Sequence, residues 1–265
     1  MPHVTVHLLP TLLPASLAST PEGPEQFKQA SAVVIDILRA STTIIHALAA
    51  GATQIVPTES VDQVHVLQKT LPATNLLTGG ERHGVRIEGF DLDNSPFSYH
   101  ESVVRGRTIL FTTTNGTRAL AAAREAGRIF IGAFVNRVAL VEALRRANQD
   151  VHLVCAGTDG VVTAEDVLFA GVIANDLVAD GRFQLAGDAS TLMAHHLGLA
   201  LGRSHGDIRS VLETSRGGHN LLHLGFAQDV ERCATENLFS SVPEWDGATG
   251  TIRLPRTSGT EQFQI

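Results

Sequence analysis

Three apolar runs in this chain break in the same way. VVIDILRASTT, ILFTTTNGTRA and HLVCAGTDGVVTAED each pass from a strand-like run through a short polar loop into a helical stretch. Strands that are apolar throughout are covered on both faces, which puts them in a largely parallel sheet flanked by helices. In such a sheet ligands sit outside the carboxyl ends of the strands, where helix amino ends offer free N–H groups to anions. Asp36, Arg39, Thr113, Asn115, Arg118, Glu165 and Asp166 all fall at these junctions. The pattern predicts a charged, phosphate-like ligand at that rim, with a metal ion helping to hold it.

The hydrophobic pattern predicts strands at Val4–Leu9, Ser31–Ile37, Gln54–Val56, Asn75–Thr78, Thr108–Thr112, Ile129–Ile131 and Val151–Cys155. Helices are expected at Ser41–Ala50, from Ser60 to Thr70, Thr117–Ala126, Asn136–Asn148 and Ala164–Ala179, and the remainder reads as mostly helical. The fold class is therefore α/β, a three-layer α/β/α arrangement around a largely parallel or mixed sheet. Between Gly79 and Tyr99 no period is visible, and irregular segments of that length are usually functional. VVIDILRASTTIIHALAAG also lies over ILFTTTNGTRALAAAREAG with Gly51 and Gly127 in register. Residues 1–265 thus read as one unit that admits an internal βαβα duplication, as two similar subdomains whose loops share one rim and one cleft. Any two βαβα units share such a pattern, so an ordinary repetition of supersecondary structure explains it equally well.

At 265 residues and 43% apolar the chain can bury a large core. Its net charge of −7 and lack of a basic tail exclude non-specific nucleic-acid binding, but not a local cluster of arginines around a small anion. Two cysteines make no disulfide framework. The Pro-interrupted amino terminus has no cationic n-region, and no run is long enough to span a membrane. The chain reads as soluble and cytoplasmic; a homodimer is expected only from the general prevalence of such assemblies.

Asp36 ends an apolar strand, where an ionised carboxylate is costly unless paired or metal-bound. It is a metal ligand or orienting acid, or else an N-cap or partner of Arg39. Thr113, Thr114, Asn115, Gly116 and Thr117 can surround a tetrahedral anion with N–H groups and hydroxyls, and Arg118 can add a bidentate contact; simple capping by Thr114 or Asn115 competes. Glu165 and Asp166 open a helix whose dipole favours acids. They point about 100° apart, so at most one is expected to face a ligand. The irregular segment adds Glu81, Arg82, Arg86, Glu88, Asp91, Asp93 and Asn94.

Several familiar chemistries are excluded. Asp91-Leu92-Asp93 is not a dehalogenase-type nucleophile, because no apolar strand precedes it. Val161, not arginine, stands six residues after Cys155, which removes tyrosine-phosphatase chemistry. No Walker loop is present. His219 and His223 could share a helix face, without a third metal ligand nearby. Ser215, Arg216 and Asp229 read as closing the site or as ordinary turn and surface positions.

The chain resembles the 2-phosphosulfolactate phosphatase family over nearly its whole length. The resemblance is carried by Asp36-Ile-Leu-Arg39, Gly80-Glu81, Gly89-Phe90-Asp91 with Asn94-Ser95-Pro96, Thr112 to Arg118, Cys155-Ala-Gly157, and Glu165-Asp166 with Ala170-Gly171. Ser215, Gly218, Gly225, Asp229 and Val242-Pro243 match its carboxyl-terminal pattern. One departure is Asp93, where the family's stretch has glycine. That change either loosens the turn or adds a carboxylate near the cleft.

The resemblance implies magnesium-dependent hydrolysis of 2-phospho-3-sulfolactate to sulfolactate and phosphate, on a route to coenzyme M. Related bacterial proteins leave the physiological substrate open. With that reading Asp36, Arg39 and Glu165 are the catalytic candidates. Thr113–Thr117, Arg118, Arg82 and Arg216 are substrate-binding candidates, with guanidinium forks suited to three anionic groups. Mg2+ prefers oxygen ligands, which suits Asp36, Glu81, Asp91 and Glu165. Competing readings are a phosphatase of another small phosphorylated hydroxy acid and a non-catalytic binder of anionic acids.

Overall fold

The computed structural model describes residues 1–71, 75–204 and 208–255. Its strands are β1 (His3–His7), β2 (Ser31–Ile35), β3 (Gln54–Pro57), β4 (Leu76–Arg82), β5 (Val85–Arg86), β6 (Thr108–Thr112), β7 (Arg128–Gly132), β8 (Val151–Cys155), β9 (Gln184–Leu185), β10 (Glu244–Asp246) and β11 (Thr251–Arg253). The helices are α1 (Leu12–Leu17), α2 (Gly23–Phe27), α3 (Ala40–Ala49), α4 (Val61–Thr70), α5 (Glu101–Val104), α6 (Gly116–Ala123), α7 (Arg137–Ala147), α8 (Ala164–Val178), α9 (Ala189–Ser204), α10 (Ile208–Thr214), α11 (Arg216–His223) and α12 (Ala227–Ala234).

The strands form one α/β sheet in the order β5-β4-β6-β3-β11-β10-β7-β2-β8-β1-β9. Most neighbours are parallel, as the apolar strands require. β2 is buried at every position because helices cover both its faces. Val33 points toward the side where Gly132 meets Leu140 of α7 and Phe169 of α8, whereas Val34 points toward Ala40, Ile44 and Leu120 of α3 and α6. Helix α8 packs on α9 where two glycines cross. A Cβ on Gly171 would lie 1.9 Å from the Ala194 carbonyl oxygen, and one on Gly198 would lie 2.5 Å from Gly171 C.

The two similar βαβ units interlock. β2 pairs in parallel with β7, and β3 with β6, so each unit sends one strand into each half of the sheet. Antiparallel β10 and β11 join the halves, which makes the two halves run in opposite directions. The loops after β2 and β6 therefore do not share an edge of a one-way sheet, contrary to the sequence-based expectation. They still meet, because the sheet curls. Val34, Ile131, Ile252, Pro57 and Phe111, from five strands, border one small cavity, though flat spacing of about 4.8 Å per strand would spread them far apart.

Other boundaries differ from the pattern reading. Residues after Leu9 form α1 rather than only a loop, and β4 runs on through Arg82 into a hairpin with β5. The turn is His83-Gly84, both at positive φ (55° and 81°), the left-handed geometry that tight hairpins need. Asp93, the departure from the family pattern, braces the 3-10 turn at Pro96–Ser98, which Ser95 caps: Asp93 Oδ1 accepts from Ser95 N–H at 2.9 Å and from Ser98 Oγ at 2.7 Å. Among the described residues no helix is long and apolar enough to cross a membrane.

Candidate active site

The loop after β2, the loop after β6 and the start of α8 converge. Asp36 follows the last residue of β2 and is 8% exposed. Its Oδ1 accepts from the Ala40 N–H at 3.2 Å, so it does serve the first turn of α3. Burial pushes its pKa up to about 7, with the charges of Glu81 and Glu165 adding and the Ala40 N–H and Arg39 opposing. A Cβ on Gly116 would come within 3.0 Å of Asp36 Oδ2, which places the amino end of α6 directly against this carboxylate.

Glu165 and Asp166 divide their work as their angular separation requires. Asp166 is a structural tie: Oδ1 accepts from Ile37 N–H and Oδ2 from Gly157 N–H, both at 2.9 Å, joining the loops after β2 and β8. Glu165 is 2% exposed and its Oε2 makes no hydrogen bond. Burial raises the pKa of both groups. Glu165 Oε1 would stand 2.6 Å from a Cβ on Gly217 at the start of α11, so only glycine lets that helix approach.

A cavity of about 390 Å³ opens beside these groups, lined by Asp36, Arg39, Glu81, Asn94, Thr113–Asn115, Asp159 and the first turns of α11. Its size suits a small ligand. Glu81 bridges two walls: Thr114 N–H donates to its Oε1 at 3.0 Å and Gly84 N–H to its Oε2 at 2.7 Å. Asn115, the N-cap of α6, places no side-chain cap on the helix; its Oδ1 accepts instead from Asp159 N–H at 3.1 Å. The amino end of α6 is thus left to an anion.

Arg39 is 2% exposed and fully committed. It donates to Asp229 Oδ2 at 2.5 Å and to the Gly84 carbonyl at 2.9 Å, and stacks 4.4 Å over Phe226. Asp229 Oδ1 in turn accepts from Ser95 Oγ at 2.8 Å.

Six sequence candidates, Arg82, Asp91, Gly116, Thr117, Arg118 and Glu165, are not among the residues that line this cavity. Asp91 does not line the cavity; its Oδ2 accepts from Thr78 N–H and Oγ1, both at 2.8 Å, and holds the segment after β5 to β4. Arg82 and the exposed Arg118 line an adjoining cleft of about 360 Å³, shared with Thr113, Thr114 and Thr117. Arg82 donates to the Glu81 carbonyl and to Thr112 Oγ1. Arg216 does line the main cavity, 3.8 Å from Asp159. His83, His219, Asn220 and His223 line it too; the sequence pairs His219 with His223 on one helix face but assigns neither a ligand. Their signal was the spacing of 216, 219, 220 and 223 along one helix face.

Comparison of the whole chain with known proteins shows its family. The family model for 2-phosphosulpholactate phosphatase matches residues 18–248. The chain belongs to the 2-phosphosulfolactate phosphatase family. A relative from Carboxydothermus hydrogenoformans is 40% identical over 83% of this chain and 90% of its own length. One from Symbiobacterium thermophilum is 41% identical over 80% and 89%, and one from Deinococcus radiodurans 39% over 84% and 92%. Each carries the name probable 2-phosphosulfolactate phosphatase. The matched span contains Asp36, Glu81, Thr113–Arg118, Glu165 and Arg216.

Among the described residues no three His, Cys, Asp or Glu groups form a metal cage. Magnesium does not need one, since it usually takes one or two carboxylates, waters and substrate phosphate oxygens. Glu165 Oε2 and Asn94 Oδ1 are buried oxygens without hydrogen-bond partners; Asn94 lines the cavity with Asp36, and Glu165, behind Gly217, is close enough for its charge to raise the Asp36 pKa. This oxygen-only donor set fits a hard divalent cation.

Proposed function

We propose that this protein hydrolyses 2-phospho-3-sulfolactate to 3-sulfolactate and phosphate, with Mg2+ held by Asp36 and Glu165 and with Glu81 close by. The supporting observation is a buried carboxylate, Asp36, at the uncapped amino end of α6 in one cavity, with Glu165 buried behind Gly217 of its wall. A pure anion binder needs the N–H groups but gains nothing from acids that cost energy to bury. The family resemblance supports sulfolactate as the product and coenzyme M biosynthesis as its outlet.

Bound magnesium would neutralise phosphate charge and acidify water. The protein's own part follows from position. The first turn of α6 holds the phosphoryl oxygens, and Arg39, its charge paired with Asp229 and its face stacked on Phe226, fixes the wall of the same cavity. Asp36, buried against the amino end of α6, is placed to orient the attacking water or take its proton. As the water oxygen bonds to phosphorus, the bond to the sulfolactate oxygen breaks in line, and the proton taken from the water returns through solvent to that oxygen as it leaves.

The test is phosphate release by metal-stripped protein, with and without added Mg2+, for wild type, Asp36→Asn and Glu165→Gln. Magnesium-dependent release that drops at least a hundredfold in both variants is the expected result. Wild-type turnover in either folded variant would overturn the assignment.

A further inference from the structure

Helix α11 divides sharply into two faces. Gly217, Gly218 and Leu221 are buried, while Arg216, His219, Asn220 and His223 are exposed and line the cavity. Positions i, i+3, i+4 and i+7 lie on one side of a helix, so the four side chains form a nitrogen-bearing stripe along the wall. His219 and His223 are held together, Nε2 to Nε2 at 3.0 Å with rings near perpendicular. Gly84 closes over the far end: a Cβ there would meet Leu224 Cδ1 at 2.7 Å and Asn220 Nδ2 at 3.4 Å. That brings the His83–Gly84 turn across from the stripe.

We infer that the α11 stripe is a subsite for the second anionic group of the substrate, a sulfonate, apart from the phosphate at Asp36. The inference rests on the phosphatase reading of the cavity. The two ends of the cavity differ in chemistry. The Asp36 end has carboxylates and a helix amino end, suited to a phosphate bridged by a cation. The α11 stripe itself carries no carboxylate; Asp159 stands 3.8 Å from Arg216, and Glu81, bonded to the Gly84 N–H, is the acid of the facing turn. A sulfonate is a weakly basic acceptor with three oxygens, and a guanidinium, an amide and the one ring N–H that the His219–His223 hydrogen bond leaves free are donors to match it. Arg216 and His219 are therefore specificity-determining residues.

The experiment uses the full chain and the variants Arg216→Gln and His219→Ala, each checked for wild-type circular dichroism. Steady-state kinetics on 2-phospho-3-sulfolactate and on phospholactate, which lacks the sulfonate, are compared. Both variants should lose at least tenfold in kcat/KM on the sulfonated substrate, mainly through KM, and less than threefold on phospholactate. Equal losses on both substrates, or none, overturn the subsite. Calorimetry with 3-sulfolactate and lactate separates this from failure of the phosphatase reading. Wild type should bind sulfolactate and not lactate, with at least tenfold weakening in the variants, whether or not phosphate is released. Sulfolactate binding that is absent, or unchanged in the variants, also overturns it.

Discussion

Arg39 donates to Asp229 at 2.5 Å across 190 residues of sequence, with both side chains almost wholly shielded from water. This pair joins the loop after β2 to α12, and Ser95 and the Gly84 carbonyl complete its hydrogen bonding. Removing one partner of a buried ion pair strands the other charge, at a cost of about 3–5 kcal/mol. Asp229→Ala should therefore lower unfolding free energy by about that amount in urea titrations, with Asp229→Asn falling between it and wild type. An Asp229→Ala protein as stable as wild type would show that the pair contributes nothing.

The pH dependence of metal-free stability has a definite sign at Asp36. Its pKa rises from 3.8 to about 7 on folding, through burial first and then the neighbouring Glu81 and Glu165 charges. Between those values the native state keeps a proton that the unfolded chain has lost, so stability falls as pH rises from about 4 to 7. Glu165 and Asp166 shift in the same direction. In chelator, Tm should fall across this window, and Asp36→Asn should flatten part of the decline. An unaltered slope in the variant would count against the buried-acid account.

A second pair of groups acts in the opposite direction. His7 and His152 stack at 5.2 Å in the interior, and burial lowers their pKa values to about 3 and about 4. Neutral in the native state, they become a burden once the unfolded chain can protonate them. Their contribution is present above pH 6.5 and is lost as pH falls toward 4. His152→Gln should soften acid unfolding between pH 6.5 and 4 while leaving the neutral-to-alkaline limb unchanged, as read by fluorescence.

Gly217 tests the fit between α11 and α8. A Cβ there would lie 2.6 Å from Glu165 Oε1 and 3.5 Å from Leu38 Cβ, so Gly217→Ala has to push the carboxylate aside. We expect kcat to fall at least tenfold with only a small change in Tm, since the atom displaced is a side-chain tip. Unchanged kcat would mean that Glu165 has room to move without consequence.

Much of this arrangement was readable from residues. The apolar strands ending at Ile35, Thr112 and Cys155 and the helices that follow them are where the pattern put them, and Asp36, Glu81, Thr113–Asn115 and Arg216 do share one cavity. The carboxyl-terminal hairpin was not readable. β10 and β11 have three residues each, too few for an alternation to register. The roles of Asp91 and Asp166 were equally hidden, because a carboxylate tied to backbone N–H groups looks the same in sequence as one facing a ligand.

The sequence alone determined the α/β class, the covered strands and the kinds of chemistry available, since those follow from local hydrophobic period and residue type. Tertiary structure alone decided which groups meet. The halves of the sheet run in opposite directions and curl through a hairpin supplied from the far end of the chain. Only that closure brings Gly116 against Asp36 and Gly217 against Glu165. Contacts between residues so distant in sequence depend on the path of the whole chain, which no local pattern records.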